Sequence, residues 1–74
     1  MSDRFIGVVE RRGVGMGAWA LVADTGKVYE LKNAPETLRQ AFIRVEITGQ
    51  IKKDVMTLAM IGPVLEVESF TVIQ

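Results

Sequence analysis

Chemistry in a chain of 74 residues must come from a short inventory of side chains, and here two of the most useful types are absent. There is no histidine and no cysteine, so neither Ser-His nor Cys-His nucleophile–base pairs can be assembled, nor imidazole or thiolate metal sites. Ser2 and Ser69 have no identifiable partner to activate them. Glu66 and Glu68 stand two apart on one strand face and can share a cation, but one acidic pair supplies too few oxygens for a dedicated Ca²⁺ or Mg²⁺ site. The pair reads as part of a solvated strand face. Gly13-Val14-Gly15-Met16-Gly17, preceded by Arg11 and Arg12, has the composition of a phosphate cradle. Such a cradle needs a helix N-terminus immediately after it. A strand follows instead, and the stretch reads as a connection between strands. On these residues the chain is expected to be no enzyme and to need no cofactor or metal.

The remaining chemistry is charge and apolar surface, and both depend on the elements that carry them. Nine Lys and Arg balance nine Asp and Glu, which gives none of the strongly basic field of a protein that holds nucleic acid by charge alone. At this length the chain is one domain over residues 1–74 with a small core, because short chains bury only about 60% of their unfolded surface. No apolar stretch approaches the length of a membrane span, and the N-terminal residues show no signal-peptide pattern. A cytoplasmic location is the expectation.

The clearest local pattern is the hairpin over residues 18–32. A two-residue loop Thr25-Gly26 would force a β-branched residue to positive φ, whereas Asp24-Thr25-Gly26 places glycine in the left-handed position of a three-residue loop. That register pairs Ala23 with Lys27, Leu21 with Tyr29 and Trp19 with Leu31. Trp19, Leu21, Tyr29 and Leu31 then share one face, fit to anchor a core. A first strand is expected over residues 4–12, with Phe5, Gly7 and Val9 on one face; the internal glycine signals a bend or a close backbone approach. Residues 43–51 alternate cleanly, with Val45, Ile47, Gly49 and Ile51 to one side, as in a half-buried antiparallel strand.

Between the hairpin and that strand, Asn33 and Glu36 make a capping box with Pro35 in the first turn. Leu38, Ala41 and Phe42 fall on one face at helical spacing. The spacing predicts a helix of about two turns whose Leu38 and Phe42 plug an open end of the β-structure. Residues 55–61 fit a strand extension, a helical turn or an apolar loop equally well. In the last strand, residues 64–73, Leu65 and Val67 share one face while Phe70 and Val72 have the opposite parity. Either that second face turns apolar near its end, or a bulge at about Ser69 resets the register.

The predicted order is three strands, a short helix and two strands, an order that hides apolar faces best when the sheet closes on itself. The chain resembles the OB-fold, and more closely small bacterial OB-fold proteins of uncharacterised function. The residues that carry the likeness are Phe5-x-Gly7-x-Val9, Trp19-x-Leu21, Asp24-x-Gly26-x-x-Tyr29-x-Leu31, Val45-x-Ile47-x-Gly49 and Gly62-Pro63. The resemblance implies an all-β, five-stranded Greek-key barrel with the short helix between strands 3 and 4. It also implies a ligand face on strands 2 and 3, framed by the strand 1–2 and strand 4–5 loops.

Oligonucleotide binders of that fold present aromatics over a basic groove, while the hairpin aromatics here are assigned to the interior. The framing loops draw more attention. Val14, Met16, Met56 and Met60 lie in them, and Arg11, Arg12, Lys52 and Lys53 stand at their roots. Methionine-rich surface suits adaptable protein contacts; alternatively, residues 55–61 fold back to complete the core. The leading expectation is a non-enzymatic interaction module that binds a protein partner or itself through these loops. The alternative is weak single-stranded nucleic-acid binding by Arg11, Arg12, Lys52 and Lys53, with steep salt dependence.

Overall fold

A computed structural model describes residues 2–13, 17–53 and 61–73. Five strands are present: β1 (Asp3–Arg12), β2 (Ala18–Ala23), β3 (Val28–Lys32), β4 (Arg44–Lys52) and β5 (Val64–Val72). Their order β1-β2-β3-β5-β4 closes on itself. Closure depends on β1, which pairs through residues 7–12 with β2 and through residues 3–8 with β4. It depends equally on β3 and β5, which meet in parallel over three residue pairs. All other pairings are antiparallel.

The two halves of β1 overlap at Gly7 and Val8, and the glycine is a steric requirement there. A Cβ on Gly7 would lie 2.1 Å from the Val22 carbonyl oxygen and 2.7 Å from the Ala23 Cα, both backbone atoms of β2. The close approach expected from an internal glycine is thus present. The hairpin also forms in the expected register, with Leu21 opposite Tyr29 and the Ala23 N–H bonded to the Lys27 carbonyl at 2.8 Å. Gly26 takes φ 94°, the left-handed conformation that the three-residue loop demands.

Inward-facing positions supply the core: Val9, Leu21, Tyr29, Leu31, Val45, Ile47, Leu65 and Val67 are all buried. Phe5 sits edge-on to Tyr29 with ring centroids 5.2 Å apart, an arrangement aromatic quadrupoles favour. Alternation in β4 is as expected from its sequence. In β5 the bulge is the alternative realised. Gly49 pairs with Val67 but Thr48 with Ser69, leaving Glu68 as the extra residue. One added residue shifts the inward parity from Leu65 and Val67 to Phe70, which lies opposite Ile47 and packs on the core.

The connection between β3 and β4 departs from expectation. Residues 33–43 form turns and no helix. The Leu38 N–H bonds Pro35 and the Arg39 N–H bonds Glu36, so contacts run i to i−3, and the Gln40 N–H reaches only to Leu38. Asn33 is no N-cap: it takes φ 59°, and its amide donates to Glu66 Oε2 at 3.3 Å. A two-turn helix has too few hydrogen bonds to offset its nucleation cost, and tertiary contacts decide the path instead. Leu38 is fully buried and plugs the ring as expected. Phe42 does not: it is 77% exposed, at φ 64°. Its N–H bonds the Val9 carbonyl while the Val9 N–H bonds Ile43, which makes Phe42 the first residue of a bulge, a position that normally takes glycine. Among the described residues no helix is long and apolar enough to cross a membrane.

Candidate functional site

The inward columns of the strands end at one mouth of the ring, and the last side chain in each column is where core becomes site. On β1 the column Phe5, Gly7, Val9 continues to Arg11, and on β2 the column Ala23, Leu21 continues to Trp19. Arg11 and Trp19 are paired in the register, and the Arg11 guanidinium carbon stands 5.6 Å from the indole centroid. That geometry is a cation–π contact worth about 0.5–1 kcal/mol at an exposed site. Leu31 ends the column of β3. Together with Gly17, Asn33 and Arg39 from the adjoining connections, these residues line an open cleft of about 480 Å³.

The cleft is thus lined by two arginines, a tryptophan and a leucine, with the Arg11 guanidinium over the indole. Guanidinium is a fixed cation whose planar fork matches carboxylate and phosphate oxygens. The Asn33 amide donates to Glu66. Chemically, such an arrangement is able to take an anionic group beside something flat or apolar.

Of the residues singled out in the sequence, Arg11 is at the cleft. Arg12 is turned to Glu10, with Nε 3.6 Å from Oε1. Lys52 pairs with Glu66 at 3.6 Å, and Lys53 is exposed just after β4. Val14, Met16, Met56 and Met60 lie outside the described residues, as does the question of whether residues 55–60 complete the core.

The strand register shows how charge is laid out between the two loop roots. Residues directly opposite across neighbouring strands share a face. Glu10, Ala20, Glu30, Val64 and Lys52 are linked in this way into one outward band. The adjoining band runs Lys32, Glu66, Gln50. Each band therefore carries at least one carboxylate as well as a cation, and the described outer face carries no continuous basic groove. Ala20, small and flanked by two glutamates, is fully buried on this face.

A second cleft of about 430 Å³ lies between the start of β1 and the hairpin turn, over Phe5, Ile6 and Tyr29. Its carboxylate, Asp24, is held by Arg44, whose Nη1 lies 3.1 Å from Oδ1. Further round the ring, Ser2 Oγ and Gln50 Nε2 both donate to Glu68 Oε2. The Ser2 hydroxyl first, and the Gln50 amide next, hold the Glu68 carboxyl below the usual glutamate value. No group of three or more potential metal ligands occurs among the described residues.

Sequence reasoning assigned Trp19 wholly to the core and did not single out Arg39. The signal was present in part. Extending the inward parity of β1 and β2 by one step places Arg11 against Trp19. Arg39 carried no such signal, because its position follows from the turns that replace the expected helix. No protein-family model matches this sequence, and comparison with curated proteins and with solved structures finds no similar chain.

Proposed function

We propose that this protein is a non-enzymatic binding module of the OB type, which grips an acidic segment of a protein partner in the cleft of Arg11, Trp19 and Arg39. The ring order with its parallel β3–β5 closure supports the OB-type barrel. The observation that carries the function is that two arginines line one cleft with Trp19, the Arg11 guanidinium standing over the indole. A carboxylate accepts from the guanidinium donors while an adjacent apolar side chain lies on Trp19 and Leu31.

A protein segment suits the site better than a polyanion. Net charge is zero, Arg12 and Lys52 are engaged by Glu10 and Glu66, and glutamates interrupt the outer bands. Nucleic-acid binding through Arg11, Arg12, Lys52 and Lys53 is the competing reading. Trp19 is the only tryptophan, so its emission reports the cleft directly. Titration with a short peptide of alternating glutamate and leucine is expected to shift that emission, and Arg11→Gln or Arg39→Gln to weaken binding at least about tenfold, as losing a charge-assisted hydrogen bond does. Titration with oligothymidylate is expected to leave the emission unchanged. A saturable, steeply salt-dependent response to oligothymidylate with none to the peptide would overturn the proposal in favour of nucleic acid.

A further inference from the structure

The ring of strands closes completely only over part of its height. On one side, β5 meets β3 at residues 64–66 and no further, because the chain turns away at Asn33 with positive φ. On its other side, β5 pairs with β4 as far as Val72. From residue 67 onward, β5 therefore has one edge that meets no other strand among the described residues.

The backbone groups on that edge can be identified. The Ile73 N–H bonds the Arg44 carbonyl, and along an antiparallel ladder the N–H and C=O of alternate residues turn to alternate sides. Thr71 therefore points its backbone groups to β4, while Phe70 and Val72 point theirs away from it. The open edge presents two N–H donors and two C=O acceptors.

Natural sheets protect such edges with lysine, proline or inward charges. Ser69-Phe70-Thr71-Val72-Ile73 contains none of these. It is uncharged and rich in the β-branched and aromatic residues that favour strands. Val72 is 48% exposed. Phe42, 77% exposed, stands two residues before β4 and lies at the same end of the ring, where Ile73 bonds Arg44.

We infer that the exposed half of β5 is a self-association edge, on which a second copy of this chain adds the same strand antiparallel about a two-fold axis at Thr71. The argument for a second copy is self-complementarity. An axis at Thr71 sets Phe70 opposite Val72 of the second copy, and the two then exchange both N–H···O bonds. Symmetry doubles this to four bonds, which satisfy every open group identified above. Phe70 and Val72 have the same inward parity, so each meets an apolar side chain across the new pair. The nearest charge, Glu68, falls beyond the central pairs and opposes no like charge. Four hydrogen bonds and these side chains cover less than the roughly 1,600 Å² of a standard interface. The dimer is correspondingly weak, with Kd on the order of 100 µM.

Because β5 and the Arg11 cleft use different residues, the edge and the proposed ligand site are tested apart. In the dimer the two Thr71 side chains form a non-hydrogen-bonded pair, the closest kind of cross-strand neighbour. Sedimentation velocity at rising concentration is expected to show monomer passing to dimer for the native chain. Thr71→Lys alone and Thr71→Glu alone, each confirmed folded by circular dichroism, are expected to stay monomeric. Their equimolar mixture is expected to dimerise again, because opposite charges then meet at the axis. A native chain that remains monomeric into the millimolar range overturns the proposal, as does a dimer that both variants leave intact or a mixture that does not recover it. Should either variant fail to fold, Val72→Pro removes one of the two edge donors of each copy without adding charge, and an unchanged dimer there overturns the proposal equally.

Discussion

Replacing Leu38 by alanine tests whether a segment without regular structure carries part of the core. Leu38 is fully buried and belongs to the same cluster as Leu21, Ile47 and Leu65. Truncating a leucine at such a position removes its transfer free energy and leaves a cavity, together costing about 2.7–5 kcal/mol. A chain of 74 residues has a total stability of about 4–11 kcal/mol at 0.05–0.15 kcal/mol per residue. The single change therefore consumes roughly half of what holds the fold. With a urea m-value of about 1 kcal/mol/M for a small domain, the midpoint should fall by about 3 M. Trp19 emission and far-ultraviolet circular dichroism, followed together, read the transition and check that it is two-state. Phe42→Ala is the control. At 77% exposure its loss should cost no more than about 0.5 kcal/mol, as at other surface sites. A cost below about 1 kcal/mol for Leu38→Ala, or a larger cost for Phe42→Ala than for Leu38→Ala, would refute the reasoning.

Two further outcomes follow from single contacts. Gly7→Ala places a methyl group 2.1 Å from the Val22 carbonyl oxygen. No rotamer can relieve a clash between Cβ and backbone, so β1 and β2 must separate, with an expected loss above about 3 kcal/mol in urea unfolding. The Glu68 carboxyl should titrate below the usual glutamate value by carbon NMR, because Ser2 and then Gln50 donate to its charged form. A depressed folded-state pKa contributes stability that is present above the unfolded value and lost as pH falls through the folded value. Ser2→Ala should bring the titration back toward the ordinary value; an unmoved midpoint would show that Ser2 is not the main cause.

The β-strands were legible because each rests on a local rule. Alternation in β4, the glycine-closed turn at Gly26 and the apolar face of Leu21, Tyr29 and Leu31 follow from side-chain period and turn geometry. Even the bulge in β5 was visible as one of two readings, since the parity of Phe70 conflicts with that of Val67. Nothing local could reveal the path of residues 33–43. The capping signals of Asn33 and Glu36 are those of a helix, but the Asn33 amide is bonded to Glu66, which is 33 positions away in sequence.

The candidate site divides along the same line. Composition by itself determined that no histidine or cysteine chemistry is available and that charge is balanced overall. It also marked Arg11, Arg12, Lys52 and Lys53 as cations near loops. Only the tertiary structure decided that Arg12 and Lys52 are engaged by glutamates, that Arg11 stands on Trp19, and that Arg39 reaches the same cleft. The reason is range: period and turn propensity act over a few residues and survive in the sequence. Arg12 meets Glu10 on its own strand, but that Lys52 meets Glu66 and that Arg11 stands on Trp19 is decided by register, through contacts between different strands.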